Sequence, residues 1–197
     1  MREASDVAAE KAAQRRRFRA IREETSPDVL ARASRQIVGR LGALPEVASA
    51  RAVHLFWPLP GEVDLRPLAE SLAAAGVVVA LPAVVGPRAL AHRRFQPGRL
   101  AEGQWGLMEP GPGAPAVDPA TLDVVVVPAL ALGRDGSRLG YGGGFYDAFL
   151  AATPALRVGV AVSAALVAAV PTEPHDARLG VVVTETETIR VGDPGSL

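Results

Sequence analysis

The 197 residues carry 21 basic and 21 acidic side chains, a net charge of zero that argues against a dedicated nucleic-acid or membrane-surface binder. Cysteine is absent, which removes disulfides, thiolate zinc centres and cysteine nucleophiles. The hydrophobic fraction of 49% suffices for one α/β domain, and with 5% aromatics Val, Ala and Leu must build the core.

Residues 5–23 and 27–42 read as two helices. Ser26 is a candidate N-cap and Pro27 stands at the first helical position. The first helix carries Arg15, Arg16, Arg17, Arg19 and Arg22, together with Lys11, the only lysine in the chain. Such an arginine run is more often a solvated face than a binding surface. Ala52 to Trp57 is a strand ending at Pro58-Leu59-Pro60-Gly61. Leu65 to Ala75 has helical periodicity and closes with Gly76, and Val77 to Leu81 is a buried strand stopped by Pro82. Residues 88–96 suit a short strand, and 97–121 form a Pro- and Gly-rich loop.

Asp123 to Pro128, Arg157 to Val162 and Val181 to Thr184 supply further strands, with an apolar helix after the second. Apolar strands alternating with helices predict a largely parallel sheet covered on both faces. The expected organisation is a single domain over 1–197, a helical arm at about 5–42 and an α/β core at about 50–190. Met1 to Glu10 is polar, unlike a secretory signal, and the longest apolar tract, Val158 to Val170, is short of a membrane span. A cytoplasmic protein without a membrane partner is expected.

The most informative segment is Arg138-Leu139-Gly140-Tyr141-Gly142-Gly143-Gly144-Phe145-Tyr146-Asp147, which leads into a helix over Phe145 to Ala151. Its glycines permit positive φ and expose bare backbone, so successive N–H groups can cradle an anion. Arg138 offers a phosphate-pairing cation and Asp147 a magnesium ligand. A plain Gly-rich turn is the competing reading, which the bracketing charges and two tyrosines disfavour.

Several signatures are missing. No G-x-x-x-x-G-K-[ST] is present, and Phe145 stands where G-x-G-x-x-G needs its last glycine. His54, His92 and His175 lack the spacing of a helical zinc site, and there is no G-x-S-x-G elbow. Asp176 lies in a polar loop that could share a sheet edge with the glycine loop, and spacing alone favours a turn cap there. Trp57 could wall a planar ligand, Glu62 could accept from an amino-heterocycle and Trp105 adds a second aromatic. Either tryptophan alone is more often a packing anchor.

These pieces, in this order, resemble the 5-formyltetrahydrofolate cyclo-ligase (methenyltetrahydrofolate synthetase) family over roughly residues 11 to 186. The resemblance rests on Gly136 to Asp147, with Lys11 and Arg15, Ser34, Glu62-Val63-Asp64, Leu81-Pro82, Trp105-Gly106, Val127-Pro128 and His175-Asp176. It implies a three-layer α/β/α sandwich with N-terminal helices. It also implies ATP- and magnesium-dependent cyclisation of 5-formyltetrahydrofolate to 5,10-methenyltetrahydrofolate through an N5-iminium phosphate.

The resemblance further implies that Lys11, Ala12, Ala13, Gln14, Arg15 and residues Arg138 to Tyr146 hold ATP. Asp147 and Asp176 would hold Mg2+. Arg15, Trp57, Glu62, Trp105 and Tyr141 to Phe145 would contact the folate. Arg138, Tyr141, Gly142, Gly143 and Gly144 would serve catalysis. Folate and ATP are the expected partners of a monomer or weak dimer, with no nucleic acid. The family usually has tyrosine at Phe145 and often threonine at Leu65, which motivates a non-catalytic folate- or nucleotide-binding relative as the alternative. An RNA binder using the basic first helix is a third reading.

Overall fold

The computed structural model describes residues 4–103 and 106–192. Helix α1 spans Ala4–Glu24 and α2 spans Pro27–Gly42. Ser26 caps α2 by accepting from the Val29 N–H, and Pro27 needs no donor in the first turn. Two further helices, α3 (Pro45–Ala48) and α4 (Arg66–Ala74), also open with Pro in the first turn.

Seven strands form the main sheet: β1 (Ala52–His54), β2 (Val78–Gly86), β3 (Ala89–Arg94), β6 (Val124–Pro128), β9 (Leu156–Val160), β11 (Val181–Val183) and β12 (Thr188–Arg190). Their order is β12-β11-β9-β6-β1-β2-β3. The interior pairs are parallel and only the two outermost pairs are antiparallel. Valine alternation divides the burial between the two faces. Val125, Val127 and Val182 join Phe18 of α1 and Phe149 of α5 (Phe145–Ala151), whereas Val124, Val126, Val181 and Val183 join Ile37, Leu41, Val47 and Leu68 of α2 to α4. The result is the three-layer α/β/α arrangement with N-terminal helices expected from the sequence.

Strand β1 ends at His54 instead of running to Trp57, β9 spans Leu156–Val160 instead of ending at Val162, and three larger differences separate the structure from the sequence reading. Strand β2 does not stop at Pro82 but continues to Gly86. The Ala80 carbonyl accepts from Leu55 on the β1 side, so alternation places the Pro82 nitrogen on that same side, beyond the last β1 pairing. A missing donor is tolerated along such an unpaired margin. The stretch 97–121 is not simply loop. It holds a small antiparallel ribbon, β4 (Leu100–Glu102) with β5 (Met108–Pro110), and a 3-10 turn at Pro119–Thr121.

The apolar residues after β9 form a 3-10 turn, Ser163–Ala165, and a two-residue strand, β10 (Leu166–Val167), instead of a helix. That strand pairs with β7 (Ala131–Gly133), which pairs with β8 (Arg138–Leu139), so this apolar sequence is spent on a second sheet. The second sheet delivers the glycine loop directly from β8.

Candidate active site

The glycine loop lies between two cavities. One, of about 280 Å³, is walled by Phe56, Trp57, Leu59, Pro82, Val84, Leu90 and Met108, with Glu62 as an acidic group among them. The other, of about 620 Å³, is lined by Lys11, Arg15, Arg88, Glu173, His175 and Asp176. Arg138, Gly140, Gly142, Gly144 and Asp147 line both. Gly142 and Gly144 have φ of 98° and 70°, in the left-handed region that favours glycine, so the loop's path follows from its sequence.

In the polar cavity Lys11 is 6% exposed and donates to Glu173 at 2.7 Å and Asp176 at 2.5 Å. Burial alone would raise the Asp176 carboxyl, but hydrogen bonds from Lys11 and the Glu173 N–H, with the lysine charge, hold it below its usual value. Ligand atoms of Glu173, His175 and Asp176 lie within 4.8 Å of one another. Asp147 stands outside that cluster and is paired with Arg138 at 2.5 Å. Arg15 donates to the Gly140 carbonyl at 3.0 Å, tying α1 to the loop.

In the apolar cavity Glu62 is the focus of a buried network. Its Oε2 accepts from the Leu59 N–H at 2.9 Å and its Oε1 from the Tyr141 hydroxyl. Arg22 donates to that same hydroxyl, lies 3.5 Å from Glu62 and donates to the Ala129 carbonyl at 3.0 Å. Burial, reinforced by the Glu62 charge, pushes the Tyr141 phenol up and keeps it protonated. Trp57 packs on Phe95 with ring centroids 5.6 Å apart.

Beneath the first turn of α5, His92 Nδ1 and His54 Nε2 are 3.1 Å apart. His92 stacks on Phe149 at 4.0 Å, and His54 meets Tyr146 edge-on at 6.3 Å. Burial, then the neighbouring His92, drives His54 well below the ordinary imidazole value, and burial lowers His92 as well. The pair is therefore neutral, one ring donating and the other accepting.

Of the residues singled out from the sequence, Lys11, Arg15, Arg138, Leu139, Gly140, Gly142, Gly144, Asp147 and Asp176 converge on the polar cavity. Trp57, Glu62, Tyr141, Gly143, Phe145 and Tyr146 line the apolar one. Ala12, Ala13 and Gln14 line neither, because the helix turns only Lys11 and Arg15, four residues apart, toward the loop. Trp105 lies outside the described residues. Sequence reasoning missed Arg22, Arg88, Glu173 and the His54–His92 pair. Only Arg22 left a signal: with Lys11 and Arg15 it repeats at helical spacing, while Arg16, Arg17 and Arg19 are exposed. The basic helix is thus not one uniform solvated face.

The chain matches the 5-formyltetrahydrofolate cyclo-ligase family over residues 7–185. It is 37% identical to the 5-formyltetrahydrofolate cyclo-ligase of Mycolicibacterium smegmatis over 144 residues, which span 69% of this chain and 74% of that protein. It is 33% identical to the Escherichia coli protein of the same name over 181 residues, 88% of this chain and 97% of the relative. The solved structure of Aquifex aeolicus 5,10-methenyltetrahydrofolate synthetase matches with a TM-score of 0.85 at 34% identity, covering 95% of each chain. Family model, relatives and overall fold agree, and the chain belongs to the 5-formyltetrahydrofolate cyclo-ligase family.

Proposed function

We propose that this protein cyclises 5-formyltetrahydrofolate to 5,10-methenyltetrahydrofolate at the expense of ATP, releasing ADP and phosphate. One observation carries the reading: a bare glycine loop is the common wall of a largely apolar cavity that holds the buried Glu62 and a polar cavity rich in cations. A reduced pterin suits the first, with Glu62 accepting from its amino and ring N–H groups. A polyphosphate suits the second. The formyl oxygen on N5 attacks the γ-phosphorus and ADP leaves. N10 then attacks the resulting iminium carbon and gives up its proton, the C–O bond breaks and phosphate departs carrying that proton. No protein nucleophile is needed, so positioning and charge neutralisation supply the catalysis.

Backbone N–H groups of residues 140–144 and the Arg138 guanidinium would hold the transferred phosphoryl group, while Arg15 fixes the Gly140 carbonyl. The donor chemistry near the polar cavity suits a hard cation: Asp147 and Asp176 both line it, and Glu173 adds a carboxylate. Bound there, magnesium would neutralise phosphate charge. Metal and Lys11 would compete for the Asp176 and Glu173 oxygens, and a polyphosphate would give the displaced ammonium a new partner. The whole chain would act as one domain, in the cytoplasm, as a monomer or weak dimer. Among the described residues no helix is long and apolar enough to cross a membrane.

The test is ATP- and magnesium-dependent appearance of methenyltetrahydrofolate absorbance from 5-formyltetrahydrofolate, with ADP formed in equal amount. A protein whose melting temperature rises with MgATP but which forms no product would be a non-catalytic relative, and this assignment would fall.

A further inference from the structure

The hairpin joining β2 to β3 reverses on two residues, Pro87 and Arg88, between the paired Gly86 and Ala89. Arg88 has φ 53° and is the one non-glycine residue with positive φ among the described residues. In a turn led by Pro, a left-handed second position is normally filled by Gly or Asn, because an L side chain there crowds its own backbone. An arginine kept in that conformation signals a use for the side chain.

Its location indicates which use. A Cβ built on Gly144 would come within 3.4 Å of Arg88 Nε and 3.5 Å of its Cδ, so the arginine lies against the bare loop backbone. Arg88 lines the polar cavity beside Lys11, Arg15 and Arg138. Those three are already engaged, by Glu173 and Asp176, by the Gly140 carbonyl and by Asp147 respectively. Arg88 has no hydrogen-bond or ion-pair partner among the described residues. Among the arginines and the lysine of this cavity it is the one with no donor committed, whereas Arg15 uses its Nε–H on the Gly140 carbonyl.

We propose that Arg88 is a phosphate ligand, whose guanidinium reaches from the hairpin tip to pair with the terminal phosphate of the nucleotide beside Gly144. The proposal rests on the nucleotide reading of the polar cavity. A planar guanidinium is suited to bidentate phosphate pairing, and Gly144 lines both cavities, so its neighbour stands where the phosphoryl group crosses.

The experiment measures calorimetric Kd values for MgATP, MgADP and AMP in the wild type, Arg88→Asn and Arg88→Gly. Both substitutions relieve the left-handed conformation, so the unliganded melting temperature should hold or rise. Kd for MgATP should increase about 10- to 100-fold, with AMP affinity unchanged. Wild-type MgATP affinity in both variants would overturn the role of Arg88 alone. If the wild-type protein itself failed to bind MgATP, the nucleotide reading would fall and this proposal with it. A loss confined to a parallel titration with 5-formyltetrahydrofolate would assign Arg88 to a substrate carboxylate and overturn it too.

Discussion

Lys11 is the residue whose surroundings most change its expected behaviour. It is the one lysine among 21 basic residues, and the sequence around it names no structural partner. In the structure it neutralises two carboxylates from a loop more than 160 positions away, a pairing that no local pattern encodes. Lys11→Ala leaves Glu173 and Asp176 facing each other without a counter-charge. It should lower stability by about 1–3 kcal/mol as well as raise the ATP KM about 10- to 150-fold. Urea unfolding and initial-rate kinetics check the two effects separately.

Glu62 and Tyr141 make a complementary pair of tests on the apolar cavity. Glu62→Gln keeps the shape but turns an acceptor into a donor facing a phenol and a guanidinium. It should raise the folate KM while leaving ATP affinity within about 2-fold, because lost acceptors matter only to the ligand that used them. Tyr141→Phe removes the hydroxyl between Arg22 and Glu62, yet those two remain 3.5 Å apart and able to pair directly. Its stability loss should stay near the ordinary hydrogen-bond value of about 0.5–1.5 kcal/mol. Equal folate and ATP defects in Glu62→Gln would show that the two cavities do not divide the ligands.

At the scale of elements, the loop after β8 was legible from its glycines and bracketing charges, and the α5 boundaries followed directly from them. The ribbon of β4 and β5 was not legible, since three-residue strands among Pro and Gly carry too little periodicity to register. Gly142→Val tests the loop. At φ 98° a β-branched residue is strained wherever it points, and its Cβ would stand 3.4 Å from the Arg15 guanidinium carbon. We expect turnover to be abolished, the MgATP-induced rise in melting temperature to vanish and the unliganded protein to lose about 1–2 kcal/mol.

The histidine pair joins β1, β3 and α5, and its effect is on pH. Both rings are held below the unfolded value of 6.5, so below about pH 6.5 the unfolded chain takes up protons that the folded chain excludes. Stability must then fall with acidification, by about 1.4 kcal/mol per pH unit for each fully excluded proton. His54→Phe should reduce the loss between about pH 7.5 and pH 5.5 by roughly that amount, measured by urea unfolding at the two values. An unchanged pH slope would place the acid sensitivity elsewhere.

For the whole molecule, runs such as Val124–Val127 revealed a parallel sheet because both faces are buried and no polar alternation interrupts them. What remained hidden was how far apart in sequence the site's contributors lie: α1, the β2–β3 hairpin and the loop at 173–176 meet only through the fold. The wall common to the two cavities has one more consequence, which concerns cooperativity between the ligands. Whatever conformation one ligand selects in residues 140–144, the other encounters from the far side, so their affinities are thermodynamically linked. The factor by which a non-hydrolysable ATP analogue tightens folate binding must equal the factor by which folate tightens the analogue. Two titrations, each run with and without the second ligand, would measure that one coupling energy from both directions.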